Sequence, residues 1–320
     1  MYRLTPLTFV ASLLAWFLPD VALSQALQGF SYGSTNPDGS CRGYSEFVSL
    51  FTRAKQLAGT GGAFTAAHLY TSIQCGTAAE PIEAFRAAVD TDTKLLVGLW
   101  ASAGQAVYEN ELKALSAASR ASYGAKLAGR VVAISVGSED LYRSSPEGVA
   151  NGEGAGATAA EIQGYIGRLR DWSRGTPLEG KPVTHADTWS AWVLPENRGV
   201  AQAVDVLSHN SFPYFEDKHP NSIDKGADNF WSAVAATESV AQGKPVWITE
   251  TGWPDSGPKR GDAVASIDNA KRYWKTVGCA LFGKRNTFWY TLADVNAAQQ
   301  QISFGVTPVG SAIPKYDLTC

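Results

Sequence analysis

Of the 320 residues, 45% are hydrophobic and 18% charged, with 10 Trp, 12 Tyr and 13 Phe, which excludes a disordered or fibrous protein. The net charge is −3 at pH 7 and no run of more than two Lys or Arg occurs, so the electrostatic footprint of a nucleic-acid partner is missing. The length admits two domains or a single α/β barrel of about 250 residues or more.

In chain order, Arg3 precedes an apolar run from Leu7 to Leu18, followed by Ala22-Leu23-Ser24. That is the order of a secretory signal peptide cleaved near Ser24 or Gln25. The run is shorter than the ~20 residues that a spanning helix needs. Residues 1–24 are therefore read as a signal peptide and 25–320 as one exported domain, secreted to the extracellular space or cell wall and holding no membrane contact in its mature form. Ser311–Cys320 lacks the apolar tail of a lipid-anchor signal. No Asn-x-Ser/Thr sequon occurs.

Eight short apolar runs read as strands: Leu27–Tyr32, Ala63–Tyr70, Lys94–Trp100, Val131–Val136, Pro182–Trp189, Val204–Asn210, Pro245–Thr249 and Thr287–Thr291. LLVGL (Leu95–Leu99) and VVAISV (Val131–Val136) are apolar without alternation, as expected of parallel strands buried on both faces. Helical stripes lie between the runs. In Ala263–Phe282, Val264, Ile267, Ala270, Trp274, Val277 and Leu281 recur at three- and four-residue steps, and Asn229–Ala241 repeats the pattern. This alternation predicts a single (β/α)8 barrel, with a doubly wound sheet as second choice. The nucleotide signature of the latter is absent, because NGEGAGAT (Asn151–Thr158) carries only a lone G-x-G-x-G far from the preceding strand. That segment reads as a loop leading into a helix at Ala159.

Four cysteines in an exported chain predict two disulfides. Among three connectivities the local pairs Cys41–Cys75 and Cys279–Cys320 are favoured, and a catalytic thiol is the minor alternative. His68, His185, His209 and His219 show no metal-ligand spacing and are expected to be structural.

In a barrel the reacting groups stand at the C-terminal ends of strands. Glu139 ends VVAISVGSE on strand four and Glu250 ends PVWITE on strand seven. Two carboxylates at one mouth are what glycosidic cleavage requires, one protonating the leaving oxygen while the other attacks or activates water. The bland alternative makes Glu139 a helix-initiating acid and Glu250 a loop residue. Tyr32, Tyr70, Trp100, Trp189, Phe212, Tyr214, Trp253 and Trp289 fall at or near strand ends, and aromatic faces stack on sugar rings. Each taken singly is more often core than subsite, and it is their clustering at one end of the barrel that points to a sugar cleft.

The segments ITETGWP (Ile248–Pro254), ISVGSEDLYR (Ile134–Arg143), FSYGS (Phe30–Ser34) and HLYTSIQC (His68–Cys75) resemble the secreted fungal members of glycoside hydrolase family 17. The resemblance runs over nearly the whole mature chain, and TETGWP is its most specific part. It implies a (β/α)8 barrel, retaining stereochemistry and action on β-1,3-glucan, without metal or organic cofactor and as a monomer. Glu250 then matches the nucleophile and Glu139 the general acid/base, with their carboxyls about 5 to 5.5 Å apart and the resting proton on Glu139. Tyr32 matches a strand-one tyrosine and Tyr214 a strand-six aromatic near the nucleophile. Tyr70, Ser138, Phe212, Trp253 and Trp289 complete the expected substrate contacts. Three departures stand out: Ser138 replaces the usual Asn before the acid, Gln74 the Asp before the second-strand Cys, and Thr291 an acidic residue after strand eight, leaving Asp294 as the nearest carboxylate. Endo-hydrolysis of β-1,3-glucan is the first expectation, glucanosyl transfer with the same carboxylates the second, and a wall glucan-binding protein without turnover the third.

Overall fold

The computed structural model describes residues 25–294 and 301–320; the expected signal peptide lies outside the described residues. Eight parallel strands close into a barrel in chain order: β1 (Gln28–Tyr32), β2 (Phe64–Leu69), β3 (Lys94–Leu99), β4 (Val131–Ser138), β5 (Val183–Thr188), β6 (Val206–Asn210), β7 (Val246–Glu250) and β8 (Thr287–Trp289). Closure removes both sheet edges and with them the doubly wound alternative. The eight runs are those read from the sequence, each trimmed or shifted at its ends. Trp189, for instance, opens the short helix Trp189–Trp192 instead of closing β5.

Two apolar layers form because successive strand residues face opposite ways. Inside the barrel, Ala66, Leu96, Ala133 and Phe288 make a small plug against Leu27 and Trp247. Outside it, Phe30, Leu69, Val97, Leu99, Val136 and Ile248 face the helices in the larger core. The stripe read over Asn229–Ala241 belongs to the longer helix Ile223–Val240, with Phe230, Ala233, Val234 and Thr237 buried. The stripe over Ala263–Phe282 is shorter than expected. Its helix starts at Ile267, where the Ser266 side chain accepts from the Asn269 N–H, and it passes through a π-turn at Trp274–Gly278. Val264 and Ile267 are exposed; the Val264 carbonyl accepts instead from Trp253 Nε1 and Asn269 Nδ2, which holds that residue in a loop.

The glycine-rich segment is a loop, as read. It leads to Thr158, which with Glu161 forms a capping box on the helix Ala159–Ser173. Cys41–Cys75 and Cys279–Cys320 are both disulfide-bonded, the first joining the loops after β1 and β2 and the second anchoring the chain's end. None of the described helices is long and apolar enough to cross a membrane.

Candidate active site

A cleft of about 1370 Å³ crosses the C-terminal mouth of the barrel, with Glu139 and Glu250 in its wall. That exceeds the usual small-ligand pocket and suits a chain of sugar units. A shallower depression of about 600 Å³ lies at the opposite end, beside Trp247 and Arg285, where barrel residues ordinarily serve stability.

Glu250 is the last residue of β7, pairs in register with Asn210 at the end of β6 and is almost fully buried. The Tyr70 hydroxyl, one residue beyond β2, donates to its Oε1 at 2.7 Å. Glu139 stands one residue beyond β4 in a left-handed conformation, φ 59°, which costs a non-glycine residue about 1–3 kcal/mol unless its surroundings impose it. They do impose it. Gly137 turns the chain at φ 80°, where a Cβ would meet Asp140 Oδ2 at 2.0 Å, and the Glu139 N–H donates to the Ala186 carbonyl of β5 at 2.8 Å. Asn210 Nδ2 donates to Glu139 Oε1 at 3.1 Å, its own amide fixed by the Thr249 hydroxyl at 2.7 Å. Arg143 places Nη2 3.5 Å from Glu139 Oε2 while Nη1 donates to the Ser138 carbonyl at 2.7 Å.

The two carboxyls perturb each other. Burial, then the facing Glu139, push Glu250 up to about 8, with the Tyr70 hydrogen bond opposing them. Burial also raises Glu139, while Arg143 and Asn210 pull it back. Two such groups titrate as a coupled pair, each making the other's proton harder to remove. The sequence reading put the resting proton on Glu139, whereas the electrostatics favour Glu250, which burial raises more strongly while Arg143 stands beside Glu139.

Of the expected contacts, Tyr70, Ser138 and Phe212 line the cleft. Four others do not, and the expectation is corrected for each. Tyr32 is buried on the outer face of β1, edge-on to Phe51 at 5.2 Å. Tyr214 is buried, its hydroxyl donating to the Pro258 carbonyl, so it supports the cleft wall from behind. Trp253 packs on Tyr214 and Tyr273, its indole N–H bonded to the Val264 carbonyl at 3.0 Å. Trp289 sits in a buried cluster 5.0 Å from Trp274. The three departures from the family pattern also differ in kind. Ser138 is a cleft residue, but Gln74 ties the Arg42 carbonyl to the Glu83 N–H and Thr291 donates to the Ser31 carbonyl at 3.0 Å. Asp294 accepts from the Phe304 and Gly305 N–H groups.

Arg143, Asn210, Tyr290 and Phe304 line the cleft without having been singled out. Trp100 and Trp189, noted only as strand-end aromatics, line it too. Trp100 is 51% exposed, and Trp189 donates from Nε1 to Glu216 Oε1 at 2.6 Å. No group of three or more His, Cys, Asp or Glu among the described residues is placed to hold a metal ion.

A buried and a half-buried carboxylate in an aromatic cleft over a (β/α)8 barrel define the class of barrel glycoside hydrolases. Residues 29–307 match the BtgE/BtgC glycoside hydrolase domain, and the chain belongs to that family, within glycoside hydrolase family 17. It is 50% identical over 304 residues to a probable glucan endo-1,3-beta-glucosidase eglC of Aspergillus fumigatus, covering 94% of this chain and 67% of that protein. The chain thus spans about two thirds of the length of such relatives. Among solved structures, a glycoside hydrolase family 17 beta-1,3-glucanosyltransferase from Rhizomucor miehei shares the fold at TM-score 0.71 and 23% identity, over 92% of this chain and 97% of that one. An active-site mutant of the Rhizomucor miehei beta-1,3-glucanosyltransferase in complex with laminaritriose gives 0.73 at the same identity and coverage.

Proposed function

We propose that the protein cleaves β-1,3-glucan within the chain and with retention, Glu250 attacking the anomeric carbon and Glu139 protonating the departing oxygen. The observation that carries this reading is the carboxylate pair itself, with Tyr70 bonded to one member and Asn210 and Arg143 to the other. The name of the Aspergillus fumigatus relative supports the linkage. The productive state has Glu250 ionised and Glu139 protonated, and it is reached from the resting pair by moving one proton. A sugar hydroxyl that accepts from Arg143 weakens its hold on Glu139 and favours that move. Attack then forms a glycosyl ester on Glu250 and expels the leaving sugar with the proton of Glu139. Glu139, now a carboxylate, takes a proton from water, whose oxygen displaces Glu250.

Transfer to a second glucan is the alternative outcome of the same intermediate. It is favoured by a cleft that continues past Glu139 to Trp189, Glu216 and Lys218, where an acceptor sugar has room. Incubation with linear β-1,3-oligosaccharides decides: only shorter products mean hydrolysis, longer ones mean transfer, and no products refute catalysis in favour of binding alone. Azide separates the two roles. With a glycosyl fluoride donor Glu250→Ala gives the inverted glycosyl azide, and with an activated aryl glycoside Glu139→Ala gives the retained one; identical stereochemistry refutes the assignment. The apolar run Leu7–Leu18 and Ala22-Leu23-Ser24, with two disulfides, support secretion. N-terminal sequencing of the exported protein checks it: a start at Ser24 or Gln25 is expected.

A further inference from the structure

A charged cluster lies behind Glu139, on the outward face of β5, and the chemistry above does not use it. Asp187 is fully buried: its carboxylate accepts three backbone N–H groups, Leu141 N at 2.9 Å, Tyr142 N at 3.3 Å and Thr188 N at 2.8 Å, and it lies 2.8 Å from His185 Nε2. Leu141 and Tyr142 open the turn that follows Glu139, so Asp187 holds that turn by its backbone. Three backbone N–H groups already point at its two oxygens, which leaves Asp187 the accepting partner of His185 Nε2. His185 Nδ1 faces the Val136 carbonyl of β4 at 2.6 Å, and a carbonyl cannot donate. Both ring nitrogens of His185 therefore carry a proton, and the pair is a buried imidazolium–carboxylate.

The other groups facing the cluster are Asp140, whose Oδ1 accepts from Ser102 at 2.5 Å while Oδ2 is buried without a partner, and the Trp192 ring, edge-on to His185 at 5.6 Å. Burial works against the imidazolium, but Asp187 and Asp140 outweigh it and hold His185 above its ordinary value. Removing one member of such a pair leaves the other charge buried and uncompensated.

We propose that His185 and Asp187 are positioning residues for the proton donor: Asp187 fixes the left-handed turn that aims the Glu139 carboxyl into the cleft, and His185 holds the Asp187 carboxylate in place. This rests on Glu139 being the acid. Asp187→Asn cannot reproduce the arrangement, because an amide offers one acceptor oxygen to donors that now occupy two. A disturbance that acts through the acid depends on how much help the leaving group needs. A general acid contributes about 10²–10⁴-fold, so partial misplacement should cost about 100-fold in kcat/KM on a β-1,3-glucan oligosaccharide. With a dinitrophenyl β-glucoside, which leaves unaided, kcat/KM should change less than about threefold.

The experiment measures kcat/KM on both substrates for wild type, Asp187→Asn, His185→Gln and Glu139→Ala, with thermal melting to confirm folding. A loss confined to the oligosaccharide in the folded variants supports the inference. An equal loss on both substrates, or none on either, overturns it. If Glu139→Ala itself shows no such selectivity, the acid assignment fails instead, and the two failures are distinguished. The native protein supplies a readout that needs no folded variant: the ¹⁵N spectrum at pH 7 should show one buried histidine with both ring nitrogens protonated, and a neutral His185 overturns the proposal.

Discussion

Tyr70→Phe removes one oxygen from the site and leaves the ring in place. The lost bond, 2.7 Å from phenol to Glu250 Oε1, is charge-assisted whenever Glu250 is ionised, and such bonds contribute about 1.5–3 kcal/mol. In the proposed mechanism the reaction draws on the form of the pair in which Glu250 is the carboxylate, so that population falls by the same free energy, about 10- to 150-fold in kcat/KM. Every substrate needs the nucleophile, so an activated aryl glucoside should lose as much as an oligosaccharide, in contrast to a change at the acid. The sign of the pH effect follows from the same bond. The hydroxyl stabilises the carboxylate, so its removal makes Glu250 hold its proton more tightly, and the alkaline limb of kcat/KM should rise from about 8 by about one to two pH units. Steady-state kinetics on both substrates between pH 4 and 10 make the test. An unchanged rate, a loss restricted to the oligosaccharide or a limb moving to lower pH would each refute the reasoning.

Three further outcomes are expected. Glu111 is fully buried, accepts from the Thr71 hydroxyl at 2.5 Å and the Ser72 N–H at 2.6 Å, and is raised by burial from 4.5 to about 7. The folded state thus prefers the protonated acid, and stability is fully present below pH 4.5 and declines by about 3 kcal/mol as pH rises to 7; Glu111→Gln should flatten that slope in urea titrations. Trp100→Ala should raise KM for oligosaccharides about tenfold with an unchanged melting temperature, since the exposed ring contributes stacking energy of roughly 1–1.5 kcal/mol and little to the core; a lower melting temperature with KM unchanged would make it a packing residue. Replacing Cys279 and Cys320 by Ser opens a loop of 41 residues, which should cost about 4 kcal/mol and lower the melting temperature by on the order of 10 °C in calorimetry.

The barrel was legible because parallel strands with both faces buried leave runs such as LLVGL that have no polar interruption, and because crossover helices between them leave three- and four-residue stripes. Strand ends were less so. Trp189 continues the apolar run of β5, but Thr188 caps the turn that begins there, its Oγ1 accepting from the Ala191 N–H, and a cap is a local signal that apolar counting ignores. The start of the helix at Ile267 was obscured likewise. Val264 has the right spacing for the stripe, yet the Ser266 cap sets the boundary two residues beyond it.

The carboxylates were found because a strand end in a barrel is a defined place, but for aromatics the end alone is insufficient and parity decides. The inward layer passes through Ala66, Leu96 and Phe288; stepping by two toward the mouth reaches His68 and Tyr70, Gly98 and Trp100, and Tyr290. Tyr70, Trp100 and Tyr290 all line the cleft. Tyr32 is paired in register with Leu69, one residue short of Tyr70, and Trp289 follows Phe288, so both point out to the helices, and a shift of one residue separates a cleft wall from a core. Small side chains and aromatics in the inner layer would have supplied that phase from the sequence. The same count places Ala186 inward, since it pairs with Ser208, and so turns His185 and Asp187 outward. The support proposed for Glu139 therefore lies on the face of β5 away from the cleft, where a search for polar residues at the mouth does not look, and only the fold shows that β5 passes behind the turn after Glu139.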